Sequence, residues 1–397
     1  MNAARPPFLR LCLAEPFRVF FPLGVLIGIS GVSLWPLYFS GLHKFYPGIM
    51  HARLMIEGFM GTFVMGFLGT AGPRLTGTPH FSRIELGSLL ALLLGAVGLH
   101  IGQQHIAGDL TFLTMLLLFA AGMGWRFARR TELPPPTFAL VAFGFANAIV
   151  GAALLAVGSL GNGSPRCVML GSLLLNQGFV LYLVLGIGGF LLPRFLSLPP
   201  KPEMPESRDL SPEWTHRALI SLAVGAVLLA SFAVELFALA PRTAGLMRFA
   251  AAAVYLALEI PLHRAEGRGM TITRCLHLAI VVLVLGLLFP VLWPWQRVAG
   301  LHLVFIGGFT LITFTVATRV VLGHSGQGHL FTQPLVFLRA TAALLIAGAL
   351  FRIAGDFAPA LRGPLLDWAS YLWMLAAGVW SWRVLPRVRI PDEQAPG

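Results

Sequence analysis

Apolar runs long enough to cross a bilayer recur along the whole chain and are separated by short polar segments. A transmembrane helix needs about 20 mainly apolar residues, so runs of about 18 or more predict membrane spans. Twelve spans are predicted on this basis, at 17–39, 50–72, 84–102, 109–127, 137–160, 168–192, 218–240, 244–262, 275–294, 298–322, 334–354 and 364–385. Ten spans would result if two weak runs, such as 84–102 and 109–127, formed a re-entrant pair.

Basic residues are distributed unevenly over the two sides that these spans define. With the N-terminus in the cytoplasm, 20 of the 28 lysines and arginines lie on the inner side and 8 on the outer side. Cytoplasmic loops of membrane proteins carry such an excess of positive charge. We therefore predict an all-α integral membrane protein with about twelve transmembrane helices and both termini cytoplasmic.

The longest polar stretch, 193–217, is rich in proline and predicts a cytoplasmic linker. It would divide one polytopic membrane domain, 1–397, into a first six-helix half at 1–192 and a second six-helix half at 218–397. With 57% hydrophobic and only 11% charged residues, the composition excludes an ordinary soluble globule. The net charge of +12 does not indicate a nucleic-acid partner, because the basic residues punctuate apolar runs; the expected surroundings are membrane lipid.

Three cysteines, with neither a CxxC nor a CxxCH motif, exclude a zinc knuckle and a covalently attached c-type haem. Histidines in apolar sequence remain as candidate ligands, because imidazole is the usual axial ligand of a b-type haem held without covalent attachment. His51 heads a helical face of Met55 and five glycines at 58, 61, 66, 69 and 72. Such a face admits either a neighbouring helix or a flat macrocycle.

His302 shares a predicted helical face with Phe305, Ile306, Phe309 and Thr313, which is either a core face or a wall beside a haem plane. The predicted orientation places His302 near the outer side, where we group it with His51. Glu57, on the same predicted span as His51, either faces a cavity, pairs with Arg53 or relays protons.

Three further candidates lie toward the inner side, namely His277, Arg319 and His324. A guanidinium such as that of Arg319 binds a haem propionate or another anion bidentately, or extends to the lipid headgroups. Helical rise separates His302 from Arg319 and His324 by about 25 to 33 Å, so these residues cannot share one small ligand. We therefore group Arg319 and His324 with His277.

Four ordered segments of the chain resemble those of the NnrS family. They are EPFRVFFPLG at 15–24, MHARLMIEGFMGTFVMGFLGTAGPRLTG at 50–77, RCLHLAIV at 274–281 and GLHLVFIGGFTLITFTVATRVVLGHSG at 300–326. The resemblance implies a multi-pass protein of the bacterial inner membrane that contains haem and copper. It also implies a role in tolerance of nitric oxide and nitrosative stress.

The resemblance carries over residue by residue. His51 and Met55 match positions of the family's W-H-A-H-E-M signature, whereas Met50, Arg53 and Leu54 replace its tryptophan, second histidine and glutamate. His277 matches a later histidine of the family. His302, Arg319, Gly323, His324 and Gly326 match its L-H…T-R-V-x-L-G-H-x-G block. The resemblance thus implies cofactor and metal ligands among His51, His277, His302 and His324, with Arg319 beside the cofactor.

Copper sites commonly need two or more imidazole or sulfur ligands, so the arginine at position 53 favours haem b over copper. The leading hypothesis is a haem protein that binds, senses or detoxifies nitric oxide, or supports metal centres under nitrosative stress, with an electron donor that the sequence does not identify. Two alternatives remain open. One is a secondary transporter of a small solute, metal or haem with a midplane site. The other is a sensor or assembly factor without turnover, so the sequence leaves open whether the protein is an enzyme.

Overall fold

The computed structural model describes residues 7–161, 163–198, 210–265 and 270–391. Their regular secondary structure is helical throughout, with no strand. The helices are α1 Phe8–Ala14, α2 Phe17–Phe39, α3 Gly48–Thr76, α4 Arg83–Ile101, α5 His105–Ala128, α6 Phe138–Gly158, α7 Pro165–Phe195, α8 Pro212–Phe237, α9 Pro241–Glu259, α10 Thr271–Leu292, α11 Pro294–Gly323, α12 Val336–Phe357 and α13 Arg362–Val384.

Eleven of the described helices, α2 to α12, are long and apolar enough to cross a membrane. This confirms a multi-pass all-α protein and eleven of the twelve predicted spans. The twelfth, 364–385, coincides with α13, which has 23 residues and is long enough. Its tryptophans, Tyr371 and Asp367 lower its hydropathy below that of the other helices.

Both ends of the described chain lie at the same end of the helical bundle. The Arg18 guanidinium, at the start of α2, donates hydrogen bonds to the carbonyl oxygens of Val388 and Ile390, at 2.6 and 2.9 Å, beyond the end of α13. It also donates to the carbonyl oxygen of His324, which follows α11. We call this the terminal end and the opposite one the distal end. Because α13 finishes at the terminal end, it runs the length of the bundle beside α2.

Local signals determine where several helices begin and end. Ser82 and Glu85 form a reciprocal capping box at the start of α4. The Ser211 hydroxyl caps α8, whose first residue is a proline. Gly77 ends α3 with a φ of 62°, a left-handed conformation that glycine adopts without steric cost.

Three helices contain a π-helical segment: Leu54–Met60 in α3, Leu173–Phe179 in α7 and Leu303–Thr310 in α11. Each segment contains a Gly-Phe pair and lies in the distal half of its helix. The three helices are the second, sixth and tenth predicted spans, which reveals a four-span spacing that sequence inspection missed. Together with Phe21 of α2, these three helices line an apolar cavity of about 100 Å³. π-helical turns are rare in proteins, and those that occur are often at functional sites. The three segments therefore make the distal half the first place to look for a site.

An aromatic core joins the two predicted halves of the chain. Phe59 lies 5.8 Å from Phe314 and 5.3 Å from Trp373, measured between ring centroids. The predicted linker at 193–217 is shorter in the structure, because α7 continues to Phe195 and α8 begins at Pro212. Residues 199–209 of that linker lie outside the described residues. The division into six-helix halves stays a prediction.

Candidate functional site

Two histidines face each other in the distal half of the bundle. His51 near the start of α3 and His302 in α11 have ring centroids 6.5 Å apart and planes inclined by only 13°. Both rings are half-buried. The structure thus brings together the two histidines that we grouped at the predicted outer side.

Each of these rings is held through its Nδ1 atom. His51 Nδ1 lies 2.9 Å from the carbonyl oxygen of Gly31 in α2, and His302 Nδ1 lies 2.8 Å from the carbonyl oxygen of Val298. A carbonyl oxygen only accepts hydrogen bonds, so each Nδ1 carries the proton. In a neutral imidazole the Nε2 atom then keeps its lone pair, which is the usual arrangement of a metal-ligating histidine.

Aromatic edges fix the orientation of both rings. Trp35 packs against His51 at 5.9 Å with an interplanar angle of 68°, and Phe305 packs against His302 at 6.2 Å and 82°. Such edge-to-face contacts restrict rotation of a ring about its side-chain bonds. The two imidazoles are therefore preorganised by one backbone hydrogen bond and one aromatic contact each.

The two histidines open into a cavity of about 330 Å³, which is within the range of small-molecule sites. Its walls are mainly apolar and aromatic. Arg352 and Arg362 add positive charge at the distal end, where both pair with Asp356 at 2.9 and 3.6 Å. The other lining residues are Val32, Trp35, Tyr46, Gly48, Ala52, Met55, Ile56, Met60, Asn176, Val298, Phe305, Ile306, Thr310, Leu366, Ala369, Ser370 and Trp373.

The spacing of the rings suits one metal ion held between them. A metal–imidazole bond is about 2 Å long and a ring centre lies about 1 Å behind its nitrogen, so a shared metal places the centres about 6 Å apart. The observed 6.5 Å agrees with that value. The cavity thus combines two imidazoles, mainly apolar walls and two arginines, of which Arg352 is buried.

π-helical winding corrects the predicted wall beside His302. Phe305 and Ile306 line the cavity as predicted, but Thr310 follows them in place of Phe309, which is buried elsewhere. Thr313 lines the separate apolar cavity instead. The wider turn of residues 303–310 shifts the register, so the straight α-helical projection fails beyond Ile306.

The glycines of α3 serve helix packing. An added Cβ at Gly58 would lie 2.4 Å from Ile27 of α2, and one at Gly72 would lie 2.1 Å from Met123 of α5. Gly66 packs on the start of α2 in the same way. Of the two readings of this face, the structure shows the close approach of neighbouring helices.

The three candidates at the terminal end have separate partners. Each ring nitrogen of His277 faces a backbone carbonyl oxygen, that of Thr273 at 3.0 Å or that of Leu262 at 3.1 Å. The Arg319 guanidinium lies over the rings of Phe195 and Phe331, at 4.5 and 4.3 Å. These contacts do not bring the two residues into one site, and their predicted roles toward a cofactor remain untested.

His324 belongs to an ion-pair network at the terminal end. Its Nδ1 lies 2.7 Å from Glu15 Oε1, which Arg74 Nη2 also approaches at 2.5 Å. Burial raises the pKa of the Glu15 carboxyl, but hydrogen bonding and charge from His324 and Arg18 outweigh burial and hold that pKa at about 2. Glu15 is therefore ionised, and the network joins α2, α3 and α11.

The family described as NnrS protein matches residues 11–391, nearly the whole chain. The chain belongs to the NnrS family. The matched residues include His51, His302 and the helices that position them. No curated protein matches the chain.

Sequence reasoning missed two side chains of this NnrS-family chain, Asp109 and His100, which contact Arg53 and Glu57. Arg53, at the position of the signature's second histidine, pairs with Glu57 at 3.1 Å, as one of the predicted alternatives required. It also donates two hydrogen bonds to Asp109 of α5, and His100 of α4 contacts the same group. The sequence signal that could have identified this cluster was the carboxylate of Asp109 at the start of an apolar run.

The residues around Arg53 do not fit a copper site. Glu57, His100 and Asp109 each offer one ligand atom within 4.8 Å of the others, but only one of these is an imidazole nitrogen. The Arg53 guanidinium already occupies the carboxylates, and its charge repels a cation. His51 is the remaining histidine of the signature, and it faces the distal cavity instead.

Proposed function

We propose that this NnrS-family chain is a haem-binding membrane protein in which His51 and His302 would hold one b-type haem. The observation that carries the proposal is the facing pair of rings, 6.5 Å apart, with each Nδ1 engaged by a carbonyl oxygen. Both residues line the same cavity, and the hydrogen bond from each Nδ1 leaves the lone pair on Nε2.

The surroundings of the histidines support haem over a bare metal ion. A bound haem would rest its flat apolar face against Phe305 and Trp373, which line the same cavity. Arg352 and Arg362 line the same cavity and would pair with the carboxylates of such a macrocycle. Haem would supply one-electron redox chemistry and a coordination position for a small diatomic molecule.

We further infer that the protein acts in the response to nitric oxide and nitrosative stress, in the bacterial inner membrane. Family membership supports the role, and the excess of positive charge at the terminal end supports a cytoplasmic location for that end. The distal cavity would then open toward the periplasm. Nitric oxide is the expected diatomic ligand, and the apolar cavity beside Met60 offers it a space next to the site.

Visible spectroscopy of the purified protein tests the ligand assignment. Protein from haem-replete cells should show a Soret band that shifts when nitric oxide is added to the reduced form. His51→Ala and His302→Ala should each reduce the haem content at least tenfold, because each removes an axial ligand. His277→Ala is the matched control and should retain the band, since both ring nitrogens face backbone carbonyls.

A colourless, iron-free wild type would refute the proposal, and so would haem spectra left unchanged by both distal substitutions. Copper at one equivalent without haem, lost in His51→Ala, would assign the pair to copper instead. Haem-independent uptake of a solute that depends on Glu57 would favour the transporter alternative.

A further inference from the structure

A buried cluster of ionisable groups lies between α3, α4 and α5, apart from the distal cavity. Glu57, Asp109 and His100 are 2%, 1% and 1% exposed, and Arg53 is 6% exposed. They lie within apolar helices that are long enough to cross a membrane. Charged groups in such surroundings are costly unless their charges are compensated.

The cluster contains two carboxylates and one guanidinium. Arg53 donates from Nε to Asp109 Oδ1 at 2.5 Å and from Nη2 to Asp109 Oδ2 at 3.1 Å, so its fork is directed at Asp109. Glu57 Oε1 lies 3.1 Å from the same Nε but receives no hydrogen bond. With both carboxylates ionised, one negative charge would remain uncompensated in the bundle interior.

Two histidines connect Glu57 to the distal surface. Glu57 Oε2 lies 3.1 Å from His100 Nε2, and His100 Nδ1 lies 3.3 Å from His105 Nδ1. His105 is half-buried at the first turn of α5, and residues 101–104 before it are exposed. The chain of contacts therefore runs from a buried carboxylate to water.

The protons along this chain have one consistent arrangement. A carboxylate only accepts, so His100 donates through Nε2–H and its Nδ1 is then an acceptor. His105 must therefore donate through Nδ1–H to His100 Nδ1. Every donor points inward, toward Glu57.

The ring of His100 occupies a space that only glycine leaves open. A Cβ added at Gly108 of α5 would lie 2.4 Å from His100 Cε1 and 2.6 Å from its Nδ1. Real side chains never approach so closely, so α5 must have glycine where it passes His100. The path between Glu57 and His105 is therefore built into the packing of α4 on α5.

We propose that the Glu57–Asp109 pair is a proton-binding site that exchanges one proton with the distal aqueous phase through His105 and His100. Water protonates His105 at Nε2, and its Nδ1 proton passes to His100 Nδ1. His100 then releases its Nε2 proton to Glu57 Oε2. The net change is one proton added to the cluster, with both rings neutral again and no electron transferred.

The uncompensated charge is the driving force for this protonation. The charged or titratable groups that face Glu57 are Arg53 on its own helix, His100 on α4 and Asp109 on α5, while α2 contributes the apolar Ile27 beside Gly58. A proton shared by the two carboxylates leaves one negative charge opposite one guanidinium. A divalent cation is the competing occupant, but Arg53 opposes it electrostatically.

Glu235 provides a matched control elsewhere at the distal end. This buried carboxylate pairs with two arginines, Arg248 at Oε2 and Arg297 at Oε1. Two guanidinium groups thus face this one carboxylate, whereas one guanidinium faces the two carboxylates of the Glu57–Asp109 pair. Glu57 and Glu235 are similarly buried, but the first cluster has an excess of carboxylates and the second an excess of guanidinium groups. A comparison of the two therefore tests whether an uncompensated negative charge leads to proton uptake.

Infrared difference spectroscopy between high and low pH tests the proposal on the purified full-length protein, with or without haem. Wild type should show the C=O stretch of a protonated carboxylic acid, which shifts in heavy water. The band should be lost in Glu57→Gln or Asp109→Asn and retained in Glu235→Gln. After a pH jump, His105→Ala should slow its appearance at least tenfold.

A wild type without the band at any pH would overturn the proposal, as would a band that survives both carboxylate substitutions. One equivalent of a bound metal that disappears in His100→Ala would assign the cluster to a cation instead. None of these outcomes depends on haem, so failure here is distinguishable from failure of the haem proposal.

Discussion

The two ends of the bundle use histidine in different ways. At the distal end, His51 and His302 each commit one nitrogen to a carbonyl oxygen and present the other to a cavity of about 330 Å³. At the terminal end, the His324 ring contacts Glu15 and Arg74 in an ion-pair network. The distal histidines thus border free volume, whereas the His324 ring is in contact with charged side chains.

This comparison predicts that the two ends can be disabled separately. Substitutions at the terminal end should lower stability and leave the haem spectrum intact, because no network residue lines the distal cavity. Substitutions that disturb the distal end should change the haem with smaller effects on stability.

The largest expected effect on stability is that of Arg18→Met. Arg18 donates to Glu15 and to three backbone carbonyls that join α2, α11 and the C-terminal segment. Removing one partner of a buried ion pair destabilises by about 3 to 5 kcal/mol, because the other charge stays buried. Denaturant unfolding in detergent should show this loss, with an unchanged Soret band.

Arg74→Met is the control for that experiment. Arg74 pairs with the same Glu15, but its side chain is 46% exposed, so the expected loss is below about 1 kcal/mol. Equal losses for the two variants would mean that burial does not distinguish the two contacts.

Glu15 should make the terminal end sensitive to acid. Its folded pKa of about 2 lies below its ordinary value of 4.5. The stabilisation is complete above about pH 4.5 and is lost as the pH falls through the folded pKa, at a cost of about 2 to 3 kcal/mol. The unfolding free energy of wild type should fall between pH 4.5 and 2, and that of Glu15→Gln should fall less steeply; parallel curves would assign the acid sensitivity to another group.

Gly31→Ala tests how α2 supports the distal site. Its Cβ would lie 3.0 Å from Leu54 and 3.2 Å from Met55 Sδ, so α3 must shift away from the carbonyl that holds His51. We expect a loss of about 1 to 2 kcal/mol in unfolding free energy, a typical overpacking cost, together with a lower haem content. Gly87→Ala, whose Cβ meets open space, should change neither; a normal haem content in Gly31→Ala would show that the hydrogen bond is dispensable.

The smallest expected effect is that of Arg362→Gln at the rim of the cavity. Arg362 is exposed and contacts Asp356 at 3.6 Å, so its contribution to binding a propionate should be about 0.5 to 1 kcal/mol. Haem should dissociate about two- to fivefold faster into an apo-globin acceptor. The buried Arg352→Gln should exceed this effect, and the reverse order would place the propionates near Arg362.

Local patterns predicted most of the fold but only part of the site. Apolar runs identified the helices, because a bilayer imposes length and hydropathy residue by residue. The grouping of His51 with His302 also followed, because each lies near the outer start of its predicted span. The π-helical segments did not follow, since each packs on a neighbouring helix, namely α2, α6 or α10. The predicted wall at Phe309 and Thr313 failed because the π-helical turn shifts the register of α11.

By itself the sequence determined the class of protein, the positions of its membrane helices and the four candidate histidines, because these depend on composition and on short-range periodicity. Only the tertiary structure decided which histidine nitrogens are free, which arginine meets which carboxylate and that Glu57 connects to His105. Those properties depend on atoms from helices far apart in sequence, such as Gly31 against His51 and Asp109 against Arg53. Their contacts are set by how the whole bundle packs.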